Sequence, residues 1–179
     1  MENPVIINRE LMHKGSRLEF YKDTLRIPNG NVVSWDYIKH NGAAAVVPVT
    51  MDGKIVMVRQ YRNAFDAETL EIPAGGLNSP DEPTLEAAVR ELKEETGYIS
   101  LKPLKKLVSV ATAVAFCDEV IDIYLAEELE KGEQHLDEDE FLNVEEYELD
   151  ELVDMIYKGK IKDSKTISGL LAYKNLLNN

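Results

Sequence analysis

The stretch Gly76-Leu77-Asn78-Ser79-Pro80-Asp81-Glu82-Pro83-Thr84-Leu85-Glu86-Ala87-Ala88-Val89-Arg90-Glu91-Leu92-Lys93-Glu94-Glu95-Thr96-Gly97-Tyr98 packs acidic side chains at helical spacing. Glu91 and Glu95 are four residues apart, so they share one face of a helix, with Glu94 beside them. Like charges at this spacing destabilise an isolated helix by roughly 0.2–0.5 kcal/mol per pair. Such a cluster calls for a counter-charge, and its oxygen donors suit a hard divalent cation such as magnesium or manganese. The helix is expected to begin near Pro83, which the first turn tolerates. Gly97 is placed to stop it as a left-handed cap. Leu85, Ala88, Val89 and Leu92 recur at i, i+3, i+4 and i+7 and are expected to form its buried stripe.

Working outward, residues 16–27 read as a strand with a break, and 32–37 as its return across the turn Pro28-Asn29-Gly30-Asn31. This predicts an N-terminal β-hairpin arm over residues 1–40, with the main domain at 41–179. Ala44–Val49 and Ile55–Gln60 read as two apolar strands joined by Met51-Asp52-Gly53-Lys54, where Asp-Gly signals a hairpin. Residues 69–73 form a short segment ending in a loop, Ala74-Gly75-Gly76. Further strands are expected at 106–114 and 119–125, and amphipathic helices at 148–158 and 164–177. Strands and helices mix without regular βα alternation, which points to an α+β or mixed-sheet sandwich.

The chain of 179 residues is long enough for one domain with a substantial core. Its formal charge of −13 argues against general nucleic-acid or anionic-membrane binding, which needs basic surface. The same charge means that an anionic substrate needs local cations. One cysteine, Cys117, excludes an intrachain disulfide and a CxxC zinc pattern. No apolar run reaches transmembrane length, and the first residues lack a basic region followed by an apolar stretch, so a cytoplasmic enzyme is expected. There is no P-loop pattern, dinucleotide-binding glycine fingerprint or nucleophile elbow, and His13, His40 and His135 lack zinc spacing.

The 76–98 stretch resembles the signature of the Nudix hydrolases. Gly76, Glu82, Arg90, Glu91, Leu92, Glu94, Glu95 and Gly97 match that pattern in register, and Tyr98 fills a hydrophobic slot where aliphatic residues are usual. The resemblance implies an α/β/α sandwich around a mixed sheet and magnesium-dependent (or manganese-dependent) phosphoanhydride hydrolysis. It makes Glu91, Glu95 and Glu94 the metal ligands, with Glu82 in support and Arg90 orienting the glutamates through a forked guanidinium. A backbone carbonyl, from Gly75 or Ala74, is implied as a further ligand.

The flanks narrow the resemblance. Val58-Arg59-Gln60-Tyr61-Arg62 and Leu70-Glu71-Ile72-Pro73-Ala74-Gly75 resemble the ADP-ribose and nucleoside-diphosphate-sugar branch. Within it, Arg59 and Arg62 would contact the diphosphate. Trp35, next to Asp36, would stack on the adenine, often across a homodimer interface; hairpin packing is the other role open to it. The acidic loop Leu136-Asp137-Glu138-Asp139-Glu140-Phe141 would supply Glu138 as base and Glu140 as metal ligand. GDP-mannose, a nucleoside triphosphate, or ADP-ribose binding without turnover are the alternatives. One departure stands out: the branch's Ser-Pro-Gly-Phe-x-Asp-Glu is here Ala113-Val114-Ala115-Phe116-Cys117-Asp118-Glu119. Proline fixes φ and glycine frees it, so this loop is expected to follow another path.

Overall fold

The computed structural model describes residues 2–16, 18–136 and 141–179. The chain divides into two units. The first holds the residues up to Gly42 together with Ala111–Val120. It is an antiparallel sheet in the order β1 (Val5–Lys14), β2 (Glu19–Arg26), β3 (Val32–Lys39). The hairpin expected at 16–37 is β2–β3, and β1 adds a third strand that the sequence reading did not separate. Every residue of β1 is exposed, so no apolar alternation marks it as a strand. Arg9 on β1 forks onto Asp23 of β2 at 2.7 Å and lies over the Tyr37 ring of β3, tying the three strands together. The 111–120 segment bonds to β3: Ile38 N–H donates to the Phe116 carbonyl at 2.7 Å, and the His40 N–H and the Tyr37 hydroxyl both reach Asp118.

The second unit contains β4 (Ala43–Pro48), β5 (Ile55–Arg62), β6 (Ala67–Glu71), β7 (Ala74–Gly76), α1 (Thr84–Thr96), β8 (Tyr98–Ser100), β9 (Lys105–Ala111), β10 (Val120–Ala126), β11 (Leu129–Lys131), β12 (Leu142–Tyr147), α2 (Leu149–Tyr157) and α3 (Ser164–Leu177). One mixed sheet runs β7-β4-β10-β9, with β10 parallel and β7 antiparallel to β4; a second runs β12-β5-β6. Alternation along the strands builds two cores. Ala43, Ala45, Val47, Ile55, Met57, Ile121 and Ile123 meet Leu149 and Leu152 of α2 and Leu170 and Tyr173 of α3. Ala44, Val46, Val56 and Tyr124 meet Ala87, Ala88 and Leu92 of α1. Each fully buried large side chain contributes roughly 1.5–3 kcal/mol. Helices on both faces of the strands make this the α/β/α sandwich of a Nudix-like α+β fold.

Three local expectations need correction. The Asp52-Gly53 turn closes, with Val49 bridging Ile55, but β4 and β5 then part into different sheets. Both strands are apolar on both sides, so each is sandwiched between layers rather than paired as a hairpin with a wet face. Second, Ala74–Gly76 is a strand on β4, with Gly75 opposite Ala44, not a loop. Third, the buried stripe of α1 is rotated. Leu85 and Val89 are 42% and 48% exposed, and the inner face is Ala87, Ala88, Glu91, Leu92 and Glu95. Small alanines bring the helix close to β4, and the glutamates continue that face onto backbone groups of β7, an arrangement that apolar periodicity does not record.

Candidate active site

The site is built where the inner face of α1 meets β7. Pro83 precedes the helix, Glu86 suits its positive N-terminal end, and Gly97 ends it at φ +74°, with its N–H on the Lys93 carbonyl. Glu91 and Glu95 are 8% and 2% exposed, an expensive placement for carboxylates unless charge or hydrogen bonds compensate. The Ala74 N–H donates to Glu95 Oε2 at 3.0 Å. The Glu91 carboxylate packs on the Gly75 backbone so closely that a Cβ at Gly75 would lie 1.9 Å from Oε1. Glycine at 75 thus permits the approach of a carboxylate that a side chain there would displace.

Arg90 organises the remaining acids. Its Nη1 donates to Glu91 Oε1 at 2.6 Å and to Glu94 Oε2 at 3.0 Å, and its Nη2 to the Gly76 carbonyl at 3.3 Å. Its Nε lies 3.5 Å from Glu82 Oε1 and is buried without a hydrogen-bond partner. Glu82 also accepts the Asn78 N–H at 2.5 Å, which closes the loop before the helix. Burial pulls the Arg90 pKa down, but Glu91 and Glu94 outweigh it and leave the guanidinium above its ordinary value. Tyr98 explains its own aromatic substitution: the ring is buried beside α1 and its hydroxyl donates to Glu146 Oε1 of β12 at 2.8 Å. Burial, then that bond, push its pKa up to about 12.

The expected phosphate arginines are both engaged. Arg59 on β5 forks onto Glu145 of β12 at 2.6 and 3.0 Å, which raises the arginine and lowers the glutamate pKa. Arg62 forks onto Glu71 at 2.8 and 2.7 Å. Sequence reasoning missed the grouping of Glu71 with Arg62, Lys165 and Thr69. Glu71 is buried and also accepts Lys165 Nζ and Thr69 Oγ1, each at 2.5 Å. Burial alone pushes its carboxyl up; Arg62, Lys165 and Thr69 outweigh that and hold it at about 2. The sequence signal was Lys165 and Thr166, two and three residues after Asp163, a helix-capping residue.

In the N-terminal unit, Trp35 is 51% exposed and lines a shallow cavity with Ser34, Asp36, Ala115 and Phe116. Val114 is exposed, while the retained Phe116 and Asp118 carry the bonds to β3. Glu138 and Glu140 lie outside the described residues. Among the described residues, no three acidic, histidine or cysteine side chains converge on one point as a preformed metal cage. The donor chemistry nevertheless fits a hard cation: Glu91, Glu94 and Glu95 offer carboxylate oxygens at one helix face, against a backbone that glycine leaves open. No helix among the described residues is long and apolar enough to cross a membrane.

The carboxylate-bearing helix α1, held against the glycines of β7 inside this sandwich, carries the residues of the signature that the sequence resembles. The chain belongs to the Nudix family: the NUDIX domain matches residues 39–169. It is 40% identical to the ADP-ribose pyrophosphatase of Bacillus subtilis (strain 168), over 89% of this chain and 86% of that protein. It is also 40% identical to the methanol dehydrogenase activator of Bacillus methanolicus, over 90% of this chain and 87% of that protein. A crystal structure of an ADP compounds hydrolase matches with a TM-score of 0.87, covering 99% of this chain and 96% of the other; at 23% identity it attests the fold. The protein is thus an enzyme, a Nudix-type pyrophosphatase, and membership of the family implies divalent-metal dependence.

Proposed function

We propose that the protein hydrolyses the diphosphate bond of ADP-ribose or a related nucleoside-diphosphate sugar, giving a nucleoside monophosphate and a sugar phosphate. The observation that carries this reading is the near full-length similarity to an ADP-ribose pyrophosphatase in a chain that buries Glu91 and Glu95 against β7. Glu91, Glu95 and Glu94, with a carbonyl from Gly75 or Ala74, would hold magnesium or manganese. A divalent cation there supplies charge neutralisation at the diphosphate and a water acidified towards neutrality. Arg90 keeps Glu91 and Glu94 in register, and Gly75 lets the carboxylate approach. Glu138 is assigned as base and Glu140 as an added ligand. Arg59 is assigned a phosphate contact; Arg62 stays with Glu71, where its charge is still felt at Glu95.

Trp35 is assigned to stacking on the base, worth roughly 1–3 kcal/mol by analogy with single-stranded nucleic acid. Its exposure in a cavity shared with Phe116 supports this. The N-terminal arm over residues 1–40 is assigned to homodimer formation in a cytoplasmic enzyme. Exposed Val5, Ile6, Ile7, Leu11 and Met12 on β1 support that assignment.

Product analysis tests the substrate. Purified protein with magnesium is incubated separately with ADP-ribose, GDP-mannose, diadenosine tetraphosphate and 8-oxo-dGTP. AMP and ribose 5-phosphate from ADP-ribose are expected, and preferential turnover of another compound overturns the substrate. Trp35→Ala should raise KM for ADP-ribose; an unchanged KM in a folded protein removes Trp35 from the site. The equal similarity to the Bacillus methanolicus protein favours a second reading, activation of a dehydrogenase. That reading predicts faster methanol oxidation when the protein is added to methanol dehydrogenase.

A further inference from the structure

The backbone that faces the two buried glutamates is fixed from the opposite side by the start of the last helix. Thr166 on α3 is fully buried, and its Oγ1 accepts the Ile72 N–H at 2.9 Å across the core. Asp163 caps α3: its Oδ2 accepts the Thr166 N–H at 3.0 Å and the Thr166 hydroxyl at 2.6 Å. The hydroxyl proton is thereby committed to Asp163, leaving the oxygen lone pairs to Ile72. Lys165 Nζ bridges Asp163 Oδ2 at 3.0 Å and Glu71 Oε2 at 2.5 Å. Successive backbone groups are therefore held one by one. Glu71 is held by Arg62 and Lys165, Ile72 by Thr166, and the Pro73 carbonyl by Val46 N–H at 2.9 Å. Ala74 then meets Glu95, Gly75 meets Glu91, and the Gly76 carbonyl meets Arg90.

We propose that Thr166 and Lys165 are positioning residues for catalysis: they set where the 72–76 backbone lies against Glu95 and Glu91. The inference rests on the reading of Glu91 and Glu95 as the metal-holding carboxylates. Helix α3 acts on the site through the peptide units of Ile72 to Gly75. The chemistry supports a fixed rather than adjustable link. A buried N–H whose acceptor is removed must move or stay unsatisfied, so loss of the hydroxyl at 166 is transmitted along three residues of chain. The Lys165 ammonium sits between two carboxylates, so its removal cuts the tie between Glu71, at the end of β6, and Asp163, at the start of α3.

The test separates positioning from mere stability. Thr166→Val keeps the shape and removes the acceptor; Thr166→Ser restores it. Leu170→Ala, in the same helix and in the same buried cluster, supplies destabilisation without removing a hydrogen bond to the 72–76 backbone. Assays are run with ADP-ribose at a temperature where circular dichroism shows all variants folded. Thr166→Val is expected to lose kcat by about 10–100-fold, the usual effect of removing a group that orients metal ligands. Its KM should stay near wild type and its magnesium midpoint should rise. Its melting temperature should also gain less from added manganese than that of the wild type. Thr166→Ser should recover these values, and Leu170→Ala should differ from wild type in melting temperature alone. Wild-type kcat, magnesium midpoint and manganese shift in Thr166→Val overturn the proposal, as do equal losses in Leu170→Ala. A wild type with neither hydrolysis nor a manganese shift overturns instead the carboxylate reading on which the proposal stands.

Discussion

Two clusters of acids and bases flank the 71–76 backbone, and they are built on opposite plans. On one side, Arg62 and Lys165 meet Glu71 and Asp163: two cations, two carboxylates, each oxygen of Glu71 bonded. On the other, Arg90 reaches Glu82, Glu91 and Glu94, while Glu95 accepts a backbone N–H. The balanced cluster is a structural joint between β5, β6 and α3. The second gathers Glu82, Glu91, Glu94 and Glu95 around Arg90, with Glu91 and Glu95 buried, and burial makes such a cluster of like charge costly. The comparison locates chemistry by like charge gathered on one helix face, not by the number of ionisable groups.

Breaking the balanced cluster should give the largest change in stability. Glu71→Gln leaves Arg62 and Lys165 facing a neutral amide, and removal of one partner from a buried pair costs about 3–5 kcal/mol. Denaturant unfolding reads this directly; a loss within experimental scatter would show that the joint is dispensable. Acid should act on the same group more gradually. Glu71 titrates near 2 in the folded protein against an ordinary value of 4.5, so folding favours its charged form. Its stabilisation, about 3 kcal/mol at full strength, is present above pH ~4.5 and is lost as pH falls towards 2. In Glu71→Gln the slope of stability against pH over that window should flatten. A smaller effect sharpens the contrast from the other side. Gly75→Ala puts a methyl into the Glu91 carboxylate, the mobile end of a side chain, so the fold should adapt at a cost of about 1 kcal/mol. Displacing Glu91 should still reduce kcat by about 10-fold or more. Equal kcat in the two proteins would show that Glu91 need not lie against residue 75.

The cluster on α1 was legible in the sequence and the one at Glu71 was not, for a physical reason. Glu91, Glu94, Glu95 and Arg90 sit within one helical turn and a half, where spacing alone fixes neighbours. Arg62, Glu71 and Lys165 are brought together by tertiary packing, 94 residues separating Glu71 from Lys165. The same limit shows in the strands. Apolar runs found β4 and β5, but the local turn signal at Asp52-Gly53 could not reveal that β4 joins β10, far along the chain. The stripe of α1 misled because apolar periodicity scores Leu85 and Val89 as inner and glutamate as outer. Glu91 and Glu95 turn inward because Ala74 and Gly75 of β7 receive them.

The most direct test of the account is magnesium and manganese binding by wild type and Glu95→Gln, measured by calorimetry with hydrolysis followed in parallel. The amide oxygen of a glutamine can still accept the Ala74 N–H, so the variant should keep the wild-type fold. The account predicts that divalent binding weakens sharply and hydrolysis falls about 100-fold or more. A folded Glu95→Gln protein that binds the metal and turns over substrate like the wild type would contradict it.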